Sequence, residues 1–175
     1  MPPPDKIKPF LFYGQFHGHP LEDLAVFHAA TVSKRQQTPI VYLAGDSSLD
    51  NKFWVPSAGP GGDRLSVAVP EIYKTVLESP RPKPDVAFWL NHLLGARSTA
   101  LNTAVEESML RDRDADLLPH DKFIRDHIRS QDVLVVSVGA NDIAFKPTAA
   151  TAMHMLNLAW LTSRSSIEKG TASSL

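Results

Sequence analysis

Apolar positions recur along this chain at two spacings. Between Leu21 and Gln36, the residues Leu21, Leu24, Ala25, Phe27 and His28 stand three and four apart, the spacing of one helix face, and Thr38-Pro39 ends the run. Ile40-Val41-Tyr42-Leu43-Ala44 follows without a polar interruption. A short, continuous β-rich stretch of this kind fits a strand covered on both faces. Asp85 to Leu94 predicts a helix with Asp85 as N-cap and Gly95 as C-cap. Thr99-Ala100-Leu101-Asn102 predicts a second strand, and a short helix is expected to begin within Glu106 to Asp112. Asp121 to Ser130 predicts an amphipathic helix capped by Asp121, with Phe123, Ile124, His127 and Ile128 on one face. The third strand is Asp132 to Val138, and Thr148 to Ser163 predicts a last helix. Val67 to Glu78 fits a strand or a short helix equally well.

The alternation of helix and strand predicts an α/β layered fold around a parallel sheet. It forms a single domain over 1–175, with a loose leader at 1–9 and a polar tail at 164–175. In such sheets ligands bind beyond the carboxyl ends of the strands. Three polar segments fall at those ends: Gly45-Asp46-Ser47, Asn102 to Ser108, and Gly139 to Asp142. The topology therefore brings them to one edge.

Two residues there carry candidate chemistry. Ser47 stands just past the first strand, where a helix is expected to begin, and helix-terminal amides favour negative charge beside its Oγ. Asp46 and Ser47 serve equally well as a helix cap or a turn. Asn141 follows the third strand, where its amide can donate to a developing oxyanion; an ordinary Gly-Ala-Asn-Asp turn is the alternative.

Tyr42 to Asn51, with Gly45-Asp46-Ser47-Ser48-Leu49-Asp50-Asn51, resembles block I of the SGNH (GDSL-type) hydrolases. Gly139-Ala140-Asn141-Asp142 resembles their block III, Gly-x-Asn-Asp, and Asn102 to Ser108 is similar in spacing to block II. The resemblance spans roughly residues 38–163, with the three blocks in family order. It implies a three-layer α/β/α sandwich, flavodoxin-like, and a metal- and cofactor-independent ester hydrolase acting on a small-molecule ester. It also implies Ser47 as the acyl-accepting nucleophile, Asn141 as a side-chain oxyanion donor, and Glu107 as a backbone donor where the family has glycine. Family block V, Asp-x-x-His, supplies the base. None of the 7 histidines fits that pattern, and His154 alone follows Asp142. His154 falls between Met153 and Met155 on an apolar helix, as a packed or snorkelling side chain would. The chain thus reads as an SGNH-type domain truncated before block V, either an esterase or a non-catalytic binding module. Its third strand is expected to be an open, apolar edge through which copies self-associate.

Composition narrows the picture further. With 18 Lys plus Arg against 19 Asp plus Glu, the chain lacks the basic excess of a nucleic-acid binder. Cysteine is absent, which removes disulfides, thiolate metal sites and cysteine nucleophiles. No apolar run is long enough to span a bilayer, and a soluble, cytoplasmic protein is expected. Gly59-Pro60-Gly61-Gly62 lacks the Gly-Lys-Ser/Thr ending of a phosphate loop and is expected to be a surface loop. His17-Gly18-His19 is expected in a surface loop and Arg111 to Asp116 in a solvated one. Trp54, Trp89 and Trp160 are assigned to packing or a cleft wall, with Phe53-Trp54 placed to meet an acyl group.

Overall fold

β1 (Ile40–Gly45) is buried at every position and lies at the centre of the sheet. The computed structural model describes residues 6–56 and 65–170, so the Gly59 to Gly62 loop lies outside the described residues. The sheet order is β2-β1-β3, with β2 at Thr99–Asn102 and β3 at Val133–Ser137. Both pairings are parallel: Tyr42 stands opposite Leu101 on one side and Leu134 on the other. The α/β class and the three expected strands are present.

The two faces of β1 feed two cores, because side chains alternate along a strand. Ile40, Tyr42 and Ala44 pack with Leu24, Phe27, Ala30, Tyr73, Phe123 and Ile124. Those residues come from α2 (Leu21–Lys34), α3 (Glu71–Val76) and α5 (Pro119–His127). α1 (Pro9–Gly14) adds Phe12 and Tyr13 to the same core. Val41 and Leu43 pack with Leu49, Ala87, Ala100 and Ala104 under α4 (Val86–Leu94). The result is an α/β/α layering.

Local chemistry accounts for the element ends. The Asp85 carboxylate accepts the Phe88 N–H at 2.8 Å, and Gly95 closes α4 in the left-handed region at φ 59°. The undecided stretch is helical at α3. α5 begins two residues before Asp121, because Pro119 suits the first turn. Asp121 is its third residue and accepts from the Leu118 N–H at 3.3 Å and from Arg113 Nε at 2.8 Å. The short helix expected within 106–112 is reduced to one 3₁₀ turn at Arg111–Arg113, since Glu107 breaks the chain direction. Ile7 is buried and bridges Leu77, so the leader joins the core by residue 7.

The two sheet edges differ. At β2 the buried Asn91 side chain from α4 donates to the Ala100 C=O and accepts from its N–H, both at 2.9 Å. That amide takes the place of a neighbouring strand. At β3 both faces are open: Val135 is 38% exposed on one and Val136 60% on the other. After β3 come α6 (Ala140–Ala144), α7 (Ala149–Leu156), a π turn at Asn157–Leu161 and α8 (Arg164–Glu168). α7 packs chiefly against α6 and the π turn, and His154 is exposed on it rather than packed.

Candidate active site at the carboxyl ends of the strands

Gly45 ends β1 against the backbone of β3. A Cβ there would lie 1.8 Å from the Ser137 carbonyl oxygen, so only glycine permits this approach. The Asp46 N–H then donates to that same carbonyl at 3.1 Å. Residues 46–50 form a turn, not the start of a helix: both the Leu49 and Asp50 N–H groups donate to the Asp46 C=O. The buried Asp46 carboxylate accepts the Ser48 N–H at 3.0 Å through Oδ1, while its Oδ2 has no partner among the described residues.

The serines of this turn differ. Ser48 Oγ lies 2.7 Å from Ser137 Oγ. The Ser47 hydroxyl, half-buried, has no hydrogen bond among the described residues. Of the pair, Ser47 holds the uncommitted hydroxyl.

The loop after β2 is stapled to the end of β1. The Val105 N–H and Ser108 Oγ both donate to the Gly45 C=O, at 2.9 and 3.0 Å. Thr103 Oγ1 donates to the Leu43 C=O at 2.7 Å, and the Asn102 amide to the Leu49 C=O at 2.9 Å. Glu107 has φ 62°, left-handed backbone, and is the one non-glycine with positive φ among the described residues. This is a conformation glycine adopts without steric cost.

The segment after β3 closes the site. Gly139 has φ 118° and turns the chain into α6. Asn141 Nδ2 donates to the Ser108 C=O at 3.0 Å, leaving the second amide hydrogen uncommitted. Asp142 accepts from the Leu110 N–H at 2.6 Å and from Arg111 Nε at 2.8 Å. Burial pulls the Asp142 carboxyl upward, but Arg111 and these amides outweigh it and hold it below its ordinary range. The charge run at 111–116 is thus a tie to α6 and α5, through Arg111–Asp142 and Arg113–Asp121, and not only a solvated loop.

An aromatic shelf flanks the loop after β2. Trp54 is 66% exposed, and its Nε1 donates to Glu106 Oε2 at 3.3 Å. Phe16 packs edge-on against Phe53 at 5.0 Å and Trp54 at 6.1 Å. Burial raises the Glu106 carboxyl, partly offset by the Trp54 hydrogen bond. Trp89 and Trp160 are also exposed, away from this shelf.

The histidines divide by burial. His19 is buried, not in a surface loop; it stacks on Phe12 at 3.8 Å, and burial holds it well below its ordinary range. His120 bonds the His19 carbonyl at 2.8 Å. His28 lies 4.6 Å from the His127 ring, and burial pushes it down to about 4. His17 has Nδ1 at 3.1 Å from the Glu106 carbonyl and so lies beside the loop after β2. Sequence spacing gave no signal for that placement, because the contact spans 89 positions. No histidine is hydrogen-bonded to Ser47, and no three potential metal ligands cluster, among the described residues. No helix among them is long and apolar enough to cross a membrane.

Compared with known protein families, curated proteins and solved structures, the chain matches none.

Proposed function

We propose that the chain is an SGNH-type ester hydrolase that transfers the acyl group of a small-molecule ester through Ser47. Ser47 Oγ attacks the ester carbonyl, the alcohol leaves with a proton, and water then cleaves the acyl-serine to release the acid and restore the hydroxyl. The carbonyl oxygen, negative in the tetrahedral intermediate, takes hydrogen bonds from the Asn141 amide and the Ser47 and Glu107 N–H groups.

One observation carries this reading. Ser108 joins the three segments: its Oγ bonds Gly45, two residues before Ser47, its carbonyl accepts the Asn141 amide, and its amino side is the left-handed Glu107. The segments that carry Ser47, Glu107 and Asn141 are thus tied to one another beyond the strands, which supports a role in acyl transfer.

A second reading, a non-catalytic binding module, is favoured by the absence of a histidine bonded to Ser47 among the described residues. A serine hydroxyl without a base is a poor nucleophile. The deciding experiment is labelling of the 175-residue chain with a fluorophosphonate, beside Ser47→Ala. Labelling abolished in the variant supports the esterase, and His17→Gln then asks whether the histidine beside Glu106 supplies the base. A folded wild-type chain that stays unlabelled supports the binding module.

We also infer self-association through β3, whose apolar side chains and outer edge are open on both faces. Sedimentation velocity across a concentration series tests it. Val136→Lys is expected to keep the protein monomeric, and a monomeric wild type at every concentration rejects the inference.

A further inference from the structure

We infer that Asp50 is a positioning residue that sets the distance between the nucleophile turn and the Glu107 backbone donor; the role in catalysis rests on the esterase reading above. Asp50 belongs to the same turn as Ser47, with its N–H on the Asp46 carbonyl at 2.9 Å. Its carboxylate leaves that turn and takes the block II loop. Oδ2 accepts the Glu106 N–H and the Gly18 N–H, each at 2.9 Å. One oxygen therefore ties together the turn after β1, the loop after β2 and the loop before α2.

Its charge is balanced locally. Lys52 Nζ lies 2.6 Å from Oδ1, and both side chains are 0% exposed. The Lys52 carbonyl in turn accepts Lys83 Nζ at 2.8 Å. Bonds from amides to an ionised carboxylate are shorter and stronger than neutral ones. Neutralisation by Lys52 keeps a net negative charge from opposing an oxyanion nearby.

The Glu106–Glu107 peptide is where this matters. Asp50 fixes its amino side, and the Ser108 bonds to Gly45 and Asn141 fix its carboxyl side. Glu107 is held in left-handed backbone between these anchors, although its side chain disfavours that conformation. A strained residue persists where its surroundings over-determine it. Without the Asp50 acceptor, the amino side of this peptide loses its anchor, the Glu106 carbonyl keeps only His17 Nδ1 at 3.1 Å, and the Glu107 N–H is aimed less tightly at the site.

The test separates the acceptor from the ion pair. Asp50→Asn with Lys52→Met keeps an acceptor oxygen and removes both charges; Asp50→Leu with Lys52→Met removes the acceptor as well. Two readouts apply to the full chain: amide hydrogen exchange at Gly18 and Glu106, and the rate constant for fluorophosphonate labelling of Ser47. The Asn double variant is expected to retain slow exchange and to label within several-fold of wild type. The Leu double variant, compared with the Asn pair under conditions where both are folded, is expected to exchange at least tenfold faster at Gly18 and Glu106, to melt lower because two buried N–H groups lose their acceptor, and to label about a hundredfold more slowly. Equal behaviour of the two double variants overturns the proposal. If the Leu variant does not fold, exchange in the Asn variant decides: fast exchange at Glu106 overturns it. A wild type that never labels but shows this exchange pattern rejects the esterase reading and leaves the positioning role of Asp50 in place.

Discussion

Asn141 donates its side-chain amide to the Ser108 carbonyl at 3.0 Å, joining the start of α6 to the loop after β2 across 33 positions of sequence. The bond orients the amide from one side and leaves its other hydrogen available. A donor already held in place needs no reorganisation when charge develops beside it.

Asn141→Ala should therefore slow labelling of Ser47 by about 10²–10³-fold, the usual cost of one oxyanion donor. The measurement is the second-order rate constant for a fluorophosphonate, with folding checked by circular dichroism. An unchanged rate excludes Asn141 from the oxyanion site.

Glu107 offers a pair of substitutions with opposite outcomes. Left-handed backbone costs a side-chain-bearing residue about 1–2 kcal/mol, and glycine avoids that cost at some expense in unfolded-chain entropy. Glu107→Gly is expected to leave stability unchanged or raise it by up to about 1 kcal/mol. Glu107→Val, β-branched at the same φ of 62°, should lower it. Urea unfolding of the two variants checks the order, and a Val variant as stable as the Gly variant contradicts the left-handed assignment.

Gly45→Ala should be among the most damaging single methyl additions to the sheet. The new Cβ would meet a backbone carbonyl at 1.8 Å, and that carbonyl is fixed by the Asp46 N–H. The expected loss is about 3 kcal/mol or more, at the upper end for overpacking. Chemical denaturation measures it, and an unshifted midpoint refutes the close approach of β1 and β3.

Asp85 predicts a pH dependence. Burial raises its carboxyl to about 7, against the Phe88 amide that favours the charged form. The folded-state value lies above the unfolded one, so the folded state holds its proton while the unfolded state releases it. Stability from this group is greatest below about 4 and declines as pH rises towards about 7. Asp85→Asn keeps the cap and cannot ionise. Relative to wild type, the variant should gain stability as pH rises through that window, by an amount on the order of 3 kcal/mol at most. Thermal or urea unfolding at pH 4.5 and 7.5 measures it, and a constant difference between the two proteins rejects the assignment.

Sequence reasoning located what local pattern encodes. Ile40–Gly45 is buried at every position, as its continuous apolar run implies, and Asp85 and Gly95 cap α4 as their side chains and backbone freedom dictate. The β2 stretch, Thr99–Asn102, coincides with the expected one. Placement of the three polar segments at one edge followed from the alternation of helices and strands. The left-handed residue could not be read locally, because glutamate does not announce positive φ. Nor did any spacing announce the burial of Lys52, whose partner Asp50 is near in sequence but whose cover comes from distant loops.

What the sequence by itself determined is the order of elements, the α/β class, and which residue types reach the carboxyl ends of the strands, because propensity, capping and periodicity act within a few residues. Only the tertiary structure decided which of those residues are held together. The Asn141–Ser108, Asp50–Glu106 and His17–Glu106 bonds each cross tens of positions. They exist because packing brings distant segments together and removes water from most of their polar groups, which then bond one another, wherever along the chain the partners lie.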